Sequence, residues 1–451
     1  MPAVKCCFQP QPNYLMDVLR NHARILNHRT LIEEKMEIGM SLGLLQNHAF
    51  PETVVKENND ILDQLQRGSL QTSEALKKIF ENARRGLNPL SESKFYECLD
   101  RLIPAGHIEL HPTDVCDHKC VGCYYYQKGT DVMPFEYIEK ILKIYRPKSV
   151  VLVGGGEPTL YRHKDRRFED IVFELKRLDP GIQIGLVTKG TYIPPGDWQK
   201  HIDWVRVSID SATPEIFFKG KQVDAFDKVL HNFFEYLKGP IPHVGLGYLV
   251  WSGNIHETHA LPKLVHGLMK KRCPDLIRKS NIQYRPMRPG ADHPEKVKKG
   301  HISAEMISTP EQVRAAVQSF DEMMENDPEM KAYLLDHTNW YKVAEGNGVR
   351  EGKSFDHCYY TLAFKMFRPT GEVYSCFARV SDPEYLFGNY MNESKEELYK
   401  INLLPFLLYN RKRDYCHGDY CRIAWLNSVA EQGLKGQIPM PTGDAAKSSF
   451  F

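Results

Sequence analysis

The sequence lacks the features of a membrane, secreted or nucleic-acid-binding protein. No apolar run approaches the roughly 18 to 20 residues that a membrane-spanning helix needs. The N-terminal segment MPAVKCCFQPQPNYLMDVLR has no continuous apolar stretch before a small-residue cleavage site. With 59 basic and 57 acidic residues, the formal net charge of +2 is too small to attract a polyanion. These absences predict a cytoplasmic protein with neither a nucleic-acid nor a membrane partner.

The cysteines do not have the distribution of a disulfide framework, which belongs to much shorter secreted chains. Of the 11 cysteines in the 451 residues, seven fall into two groups with ligand-like spacing. The other four are scattered, at Cys6, Cys7, Cys98 and Cys273. Grouped cysteines in a chain without a secretion signal indicate metal binding.

Six short apolar runs alternate with amphipathic stretches between residues 106 and 290. The runs are HIELHP, SVVLVGG, IQIGLVT, WVRVSID, HVGLGYLV and IQYRPM. Continuous β-branched runs are typical of buried parallel strands, and the stretches between them predict crossover helices. We therefore predict an α/β fold, a partial (β/α)6 TIM-like barrel, with its chemistry at the carboxyl ends of the strands.

The segments on either side of the barrel differ from it in pattern. Residues 1–105 predict a helical N-terminal extension, and residues 291–354 predict a charged helical connector. Residues 355–425 form a small cysteine-rich C-terminal domain, with a predicted hairpin in FKMFRPTGEVYSCFA. Residues 426–451 predict a loose tail.

The first cysteine group, in DVCDHKCVGC, directly follows the first predicted strand. Cys116, Cys120 and Cys123 supply three thiolates on one short loop. Three thiolates hold three irons of a cubane cluster and leave the fourth iron open to an exogenous ligand. A zinc site with His111 or His118 as its fourth ligand is the alternative interpretation of this segment.

The second predicted strand ends in VLVGGGEPTLY, where consecutive glycines permit a close approach of the backbone to a ligand. Cys-x3-Cys-x2-Cys followed one βα unit later by Gly-Gly-Glu-Pro resembles the radical S-adenosylmethionine (SAM) superfamily. The resemblance covers about residues 107 to 290. It implies a [4Fe–4S] cluster on Cys116, Cys120 and Cys123, with SAM chelating the open iron.

The resemblance also implies contacts to SAM from the ends of the strands. Gly155, Gly156 and Glu157 match the motif that contacts the amino group of SAM. The positions matching the strand motifs near the cofactor and its ribose are Thr188, Ser208 and Asp210. Tyr284 and Arg285 close the sixth strand, facing the cofactor or the substrate.

Two positions depart from the family pattern. Gly122 stands where an aromatic residue usually precedes the third cysteine, so Tyr124 or Tyr125 is expected to supply the contact on the adenine side. Lys189 stands where the third strand often has asparagine. Neither departure removes a ligand of the cluster.

The second group comprises Cys358, Cys376, Cys416 and Cys421. Its Gly-x4-Cys spacing and later cysteine pair resemble the C-terminal extension called SPASM, in its shortened "twitch" form. The resemblance implies a second, auxiliary [4Fe–4S] cluster that passes electrons. A structural zinc and ordinary buried thiols are the alternatives.

The resemblance implies an enzyme that cleaves SAM reductively to a 5′-deoxyadenosyl radical, which abstracts a hydrogen atom from an unactivated carbon. The leading interpretation is an oxidoreductase or epimerase acting on a small polar metabolite, such as a sugar- or aminocyclitol-like natural product. A maturase of a ribosomally made peptide, forming a crosslink or a D-residue, is the alternative. A non-catalytic, metal-stabilised binding protein is the third. A flavodoxin or ferredoxin is the expected reductant.

Overall fold

The computed structural model describes residues 105–123, 129–287, 304–340 and 360–374, with scattered positions in 56–81 and 376–391. Within these residues, nine strands form one sheet in the order β11 (Gly388–Asn389), β10 (Glu372–Tyr374), β9 (Phe364–Phe367), β1 (His107–Leu110), β2 (Ser149–Leu152), β5 (Gln183–Thr188), β6 (Trp204–Ser208), β7 (His243–Val250) and β8 (Ser280–Pro286). Between β2 and β5 in the chain, β3 (Arg162–His163) and β4 (Arg166–Arg167) form a separate two-stranded hairpin. No helix in the described part of the chain is both long and apolar enough to cross a membrane.

Six parallel strands form the central part of this sheet. They are β1 (His107–Leu110), β2 (Ser149–Leu152), β5 (Gln183–Thr188), β6 (Trp204–Ser208), β7 (His243–Val250) and β8 (Ser280–Pro286). Each predicted apolar run therefore forms one strand, and the α/β prediction is confirmed. Neighbouring strands are joined in a parallel register. The ordering matches a partial TIM-like barrel.

The crossover helices bury the outer face of the strands. They are α1 (Glu136–Tyr145), α2 (Phe168–Leu178), α3 (Pro214–Lys221), α4 (Phe226–Lys238) and α5 (Ala260–Arg272). Alternate strand residues such as Ile108, Leu110, Val205 and Val207 are fully buried in the core that these helices cover. Thr213 caps α3, accepting a hydrogen bond from the amide of Ile216 at 3.4 Å.

Helices α6 (Pro310–Asn326) and α7 (Pro328–His337) follow β8. Thr309 and Gln312 form a capping box at the start of α6. Phe320 of α6 stacks on Trp340, and both rings meet Tyr284 of β8. These contacts fix the connector against the last strand of the barrel.

The C-terminal segment extends the same sheet. It comprises α8 (Tyr360–Ala363), β9 (Phe364–Phe367), β10 (Glu372–Tyr374) and β11 (Gly388–Asn389). Strand β9 runs parallel to β1, with His107 opposite Phe364 and Leu110 opposite Phe367. The antiparallel pairing of β9 with β10 confirms the predicted hairpin. Gly371 turns it at a φ of 100°, a conformation that favours glycine.

The inner face of the sheet is polar at several positions where a barrel usually carries bulky apolar residues. Because side chains alternate along a strand, Glu109 of β1 and Arg206 of β6 face away from the helices. The same alternation places Asn281, Gln283 and Arg285 of β8 on this face. Most of residues 1–105 and the segment from 392 to the C-terminus lie outside the described residues.

Candidate cofactor site

The cysteine loop begins where β1 ends and is fixed by backbone hydrogen bonds. The amide of Asp114 donates to the carbonyl of Asp131 at 2.8 Å, and the Thr113 hydroxyl donates to the same carbonyl at 3.0 Å. Cys116, Cys120 and Cys123 are half-buried thiols that form no disulfide. The loop therefore presents three thiols at the carboxyl end of the first strand, where the barrel rule places a site.

The glycine-rich loop after β2 lies directly against the cysteine loop. Gly156 donates to the carbonyl of Thr113 at 3.0 Å, and Glu157 donates to that of Val115 at 2.8 Å. A Cβ on Gly155 would overlap the carboxylate of Asp114, and one on Gly156 would overlap the backbone of Val115. The two glycines are required because the loops are in backbone contact.

The last turn of α3 holds the other side of the cysteine loop. Val121 donates to the carbonyl of Gly220 at 2.9 Å, and Lys119 donates to that of Lys221 at 3.3 Å. Helix α3 is not among the elements predicted from the sequence. The cap residue Thr213, followed by proline and the stretch PEIFFKGK, could have indicated the start of a helix.

Two buried lysines lie near the cysteines. Lys189 forms an ion pair with Asp117 of the cysteine loop, and Lys221 forms one with Asp210. Burial lowers the pKa of Lys189 to about 8, and the charge of Cys116 opposes this shift. Burial also opposes the charged form of Lys221, but Asp210 and Cys120 outweigh it and raise its pKa. Positive charge next to cysteines favours their thiolate form, which is the form that binds metal.

Glu157 joins β2 to β5 through its buried carboxylate. Thr188 and Thr159 donate their hydroxyls to Oε1 at 2.6 and 2.7 Å, and the amide of Lys189 donates to Oε2 at 2.7 Å. Burial raises the pKa of Glu157, whereas these donors lower it. Two of the side chains predicted to lie near SAM, Glu157 and Thr188, are thus hydrogen-bonded to each other.

Asp210 follows β6 in a left-handed conformation, with a φ of 59°. Its Oδ1 accepts a hydrogen bond from the amide of Leu249 at 2.5 Å, and its other oxygen pairs with Lys221. Ser208 ends β6, half-buried and opposite Gly247 of β7. The predicted ribose-side residues therefore lie at the carboxyl end of β6, and their contact with SAM stays a prediction.

Gly122 has a structural reason to depart from the family pattern. Its φ is 67°, and a Cβ there would overlap the end of the Met287 side chain. Tyr125, the predicted adenine contact, lies outside the described residues. At the end of β8, the Tyr284 hydroxyl is buried and donates to the carbonyl of Thr258 at 2.6 Å, whereas Arg285 faces the inside of the barrel.

The donor set fits an iron–sulfur cluster, because three thiols on one loop match three irons of a cubane and leave the fourth iron open. The half-buried thiols of Cys116, Cys120 and Cys123, with lysines on either side, would hold such a cluster.

Of the second cysteine group, Cys376 is described and is a half-buried thiol after β10 that forms no disulfide. Cys358, Cys416 and Cys421 lie outside the described residues. Their grouping around an auxiliary cluster stays a prediction.

One contact of the site was not foreseen from the sequence. Arg368, directly after β9, donates from Nη2 to Oδ2 of Asp114 at 2.7 Å, across 254 positions of the chain. Both side chains are largely buried, and burial raises the pKa of Asp114 to about 6 against the charge of Arg368. The C-terminal segment thereby contacts the loop that carries the cysteines.

Comparison with known proteins identifies the domain that carries these loops. Residues 110–258 match the family model described as the radical SAM superfamily. A probable GTP 3′,8-cyclase of Sulfurisphaera tokodaii is 31% identical over 156 residues, which cover 32% of this chain and 47% of the relative. A GTP 3′,8-cyclase of Shewanella denitrificans is 27% identical over 170 residues, covering 36% of this chain and 48% of the relative. The chain thus spans about half the length of these curated relatives.

Among solved structures, SuiB of Streptococcus suis bound to its precursor peptide SuiA is similar at a TM-score of 0.47 and 12% identity. That match covers 72% of this chain and 70% of SuiB. Native anSMEcpe with bound AdoMet and a peptide is similar at a TM-score of 0.47 and 18% identity. That match covers 71% of this chain and 87% of the anSMEcpe chain. Since the family match covers the cysteine loop, the glycine-rich loop and the strands through β7, residues 110–258 of this chain are a radical SAM domain.

Proposed function

We propose that this protein is a radical SAM enzyme that abstracts a hydrogen atom from an unactivated carbon of a small polar metabolite. The observation that supports it is the direct docking of the cysteine loop on the glycine-rich loop. Thr113 and Val115 accept hydrogen bonds from Gly156 and Glu157, so the cluster ligands and the SAM motif form one unit.

The cluster and SAM supply the chemistry when bound: one electron cleaves SAM to methionine and a 5′-deoxyadenosyl radical, which takes a hydrogen atom from the substrate. The protein's own residues position these groups. Cys116, Cys120 and Cys123 hold the cluster, and Lys189 and Lys221 place positive charge beside it. Gly155 and Gly156 leave the backbone open to the amino group of SAM, and the barrel walls shield the radical from solvent.

The polar inner face of the barrel supports a polar substrate. Arg206, Gln283 and Arg285 are half-buried on that face, where they would present hydrogen-bonding groups to a substrate inside the barrel. We propose oxidation or epimerisation as the net reaction, with a reductant such as flavodoxin or ferredoxin supplying the electron that cleaves SAM. GTP is the first substrate to test, because two curated relatives are named GTP 3′,8-cyclase.

A second, auxiliary [4Fe–4S] cluster is part of the proposal. Cys358, Cys376, Cys416 and Cys421 would hold it with all four irons bound by protein, so it would exchange electrons and not bind substrate. In an oxidation it would accept the electron left on the substrate radical.

Anaerobic reconstitution with iron and sulfide tests the proposal directly. Iron content and dithionite-driven formation of 5′-deoxyadenosine are measured for the wild type and for the Cys116→Ala/Cys120→Ala/Cys123→Ala variant. We expect about eight irons per wild-type chain, from two cubane clusters, and about four in the variant, with loss of 5′-deoxyadenosine. A Cys358→Ala/Cys376→Ala variant is the matched control, since it removes ligands of the other cluster.

Bound zinc without SAM cleavage would overturn the radical mechanism and leave a metal-stabilised binding protein. About four irons in the wild type would reject the auxiliary cluster alone. A modified precursor peptide, instead of a modified metabolite, would replace the small-molecule proposal with peptide maturation.

A further inference from the structure

The inner wall formed by β6, β7 and β8 carries two arginines that converge on one glycine. Because Val205 and Val207 of β6 are buried under the helices, the intervening Arg206 faces the inside of the barrel. By the same alternation, Ile282 and Tyr284 of β8 pack outward, and Arg285 faces inward.

Gly247 of β7 lies between these two strands, opposite Ser208 on one side and Gln283 on the other. A Cβ on Gly247 would lie 3.4 Å from Cδ of Arg206 and 3.5 Å from Nη2 of Arg285. Both arginine side chains therefore lie over the same bare stretch of backbone. A Cβ at this position would be in van der Waals contact with both side chains.

Gln283 completes the group. Its Oε1 accepts a hydrogen bond from Nη1 of Arg206, which orients that guanidinium. The group is half-buried and not fully enclosed, since Arg206, Gln283 and Arg285 all retain partial exposure. Guanidinium groups that share one partly desolvated position match the fork geometry of carboxylate and phosphate oxygens.

The position of this group relative to the cysteines makes it relevant to catalysis. Arg285 is the last residue but one of β8, and the cysteine loop follows the last residue of β1. Because the two strands belong to one parallel barrel sheet, their carboxyl ends lie on the same side of the barrel. A molecule held by the arginines would lie on the cluster side of the barrel.

We propose that Arg206 and Arg285, oriented by Gln283 across Gly247, bind an oxyanion group of the substrate, a phosphate or a carboxylate. This inference rests on the proposed function, because it assigns the substrate of the same barrel. It adds the chemical class that the sequence left open: the substrate is an anion, held by its charged group at β6 to β8. Its reacting carbon would then be directed towards the cysteine loop.

The alternative is that the arginines only stabilise the barrel wall. Arg206 bonded to Gln283 would suffice for that role, and the fold would then depend on both residues without any affinity for anions. Binding measurements on folded protein separate the two roles.

Calorimetric titration of the reconstituted full chain, after removal of unbound iron and in a buffer free of phosphate and carboxylate, tests the proposal. Orthophosphate is the probe for a phosphate group, and succinate is the probe for a carboxylate. We expect saturable binding of at least one probe. Arg206→Gln and Arg285→Gln should each weaken that binding roughly tenfold or more, as the loss of a charged hydrogen bond predicts.

Arg314→Gln is the matched control, because Arg314 is exposed on α6 and paired with Glu311. Arg285→Lys keeps the charge but loses the fork, so its affinity should fall between those of the wild type and Arg285→Gln. Circular dichroism and thermal unfolding verify that each variant is folded. If Arg285→Gln does not fold, Arg285→Lys replaces it in the binding test.

Saturation by orthophosphate alone assigns a phosphorylated substrate, and saturation by succinate alone assigns a carboxylated one. Failure of both probes to saturate the wild type, or an equal loss in Arg314→Gln, overturns the proposal. SAM cleavage is measured separately, so a wild type that cleaves SAM without binding either anion rejects only this inference. A wild type that binds an anion but does not cleave SAM rejects only the proposed function.

Discussion

Glu157 shows how one side chain at the site serves both the fold and the cofactor loops. Its carboxylate accepts hydrogen bonds from two threonine hydroxyls and from the backbone amides of Lys189 and Thr159. These donors come from the loop after β2 and from the end of β5. Because the carboxylate is buried, every donor that it loses is left without a replacement from water.

Replacing Glu157 by glutamine puts an NH2 group where one of these donors now points. We expect Glu157→Gln to lower the free energy of unfolding by about 1–3 kcal/mol, the cost of an unsatisfied buried group. Chemical denaturation of the apoprotein measures it, and Glu215→Gln, on an exposed position of α3, is the control. Equal stability of the two variants would show that the loop adapts without the carboxylate.

Lys365 of β9 is a buried lysine whose protonation should make the stability of the protein depend on pH. It is 2% exposed, and its Nζ donates to the carbonyls of Thr361 and Phe364 at 2.7 and 3.2 Å. Burial lowers its pKa from 10.5 to about 7. Between these values the unfolded chain holds a proton that the folded chain has released.

The free energy of unfolding should therefore rise with pH from about 7 to about 10.5, by up to about 1.4 kcal/mol per pH unit from this group. Below pH 7 both states are protonated, and the cost of burying the charge is constant. Lys365→Met should remove this slope, measured as the difference from wild type in denaturation at several pH values. Lys143→Met, on the exposed side of α1, should keep it. An unchanged slope in Lys365→Met would show that the folded protein keeps Lys365 charged.

At the scale of elements, the site is assembled from pieces distant in the sequence. The cysteine loop after β1 contacts the loop after β2 on one side and the end of α3 on the other. Strand β9 adds a third support, because the Arg368 that follows it pairs with Asp114. The cysteine loop is thus held both by elements of the radical SAM domain and by Arg368, which lies beyond that domain in the sequence.

Removal of one partner of the buried Arg368–Asp114 pair should destabilise the protein, because the other charge is left buried without its counter-ion. Arg368→Met leaves the carboxylate of Asp114 buried beside Gly155, so we expect a loss of about 3 kcal/mol in the free energy of unfolding. The Arg368→Met/Asp114→Asn double variant should lose less than the sum of the single variants. Denaturation of all four proteins completes the cycle, and strict additivity would show that the pair does not interact in solution.

At the scale of the whole molecule, the sheet continues past the barrel. Strand β9 covers the edge of β1 with a parallel ladder, and β10 and β11 extend it. Phe367 of β9 contacts Tyr145 of α1 at 4.9 Å between ring centroids, so the C-terminal strands share the outer core. The barrel and the C-terminal hairpin are therefore one folding unit at this edge.

A chain that ends at Trp340 should expose the edge of β1 and the aromatic surface of α1. We expect it to aggregate or to unfold at a lower temperature than the full chain, since unpaired strand edges promote association. Light scattering and thermal unfolding of the two proteins measure this. A monomeric truncated protein with unchanged thermal stability would show that the barrel folds without β9.

The sequence by itself determined the elements and the class of chemistry. The six strands and the crossover helices other than α3 follow from local patterns of apolar residues, which depend only on the residues within each segment. The cysteine spacing and the glycine-rich strand end are also local, and together they were sufficient to indicate the radical SAM domain.

Only the tertiary structure decided which distant side chains meet. That Arg368 reaches Asp114, that Lys221 lies beside Cys120, and that Arg206 and Arg285 converge on Gly247 depends on strand register and order. Helix α3 escaped prediction because its eight residues are too short for a clear period, and the packing of its last turn gives it its role. Pairings across tens or hundreds of residues leave no trace in local periodicity, so the convergence of Arg206 with Arg285 over one glycine could be found only in the folded chain.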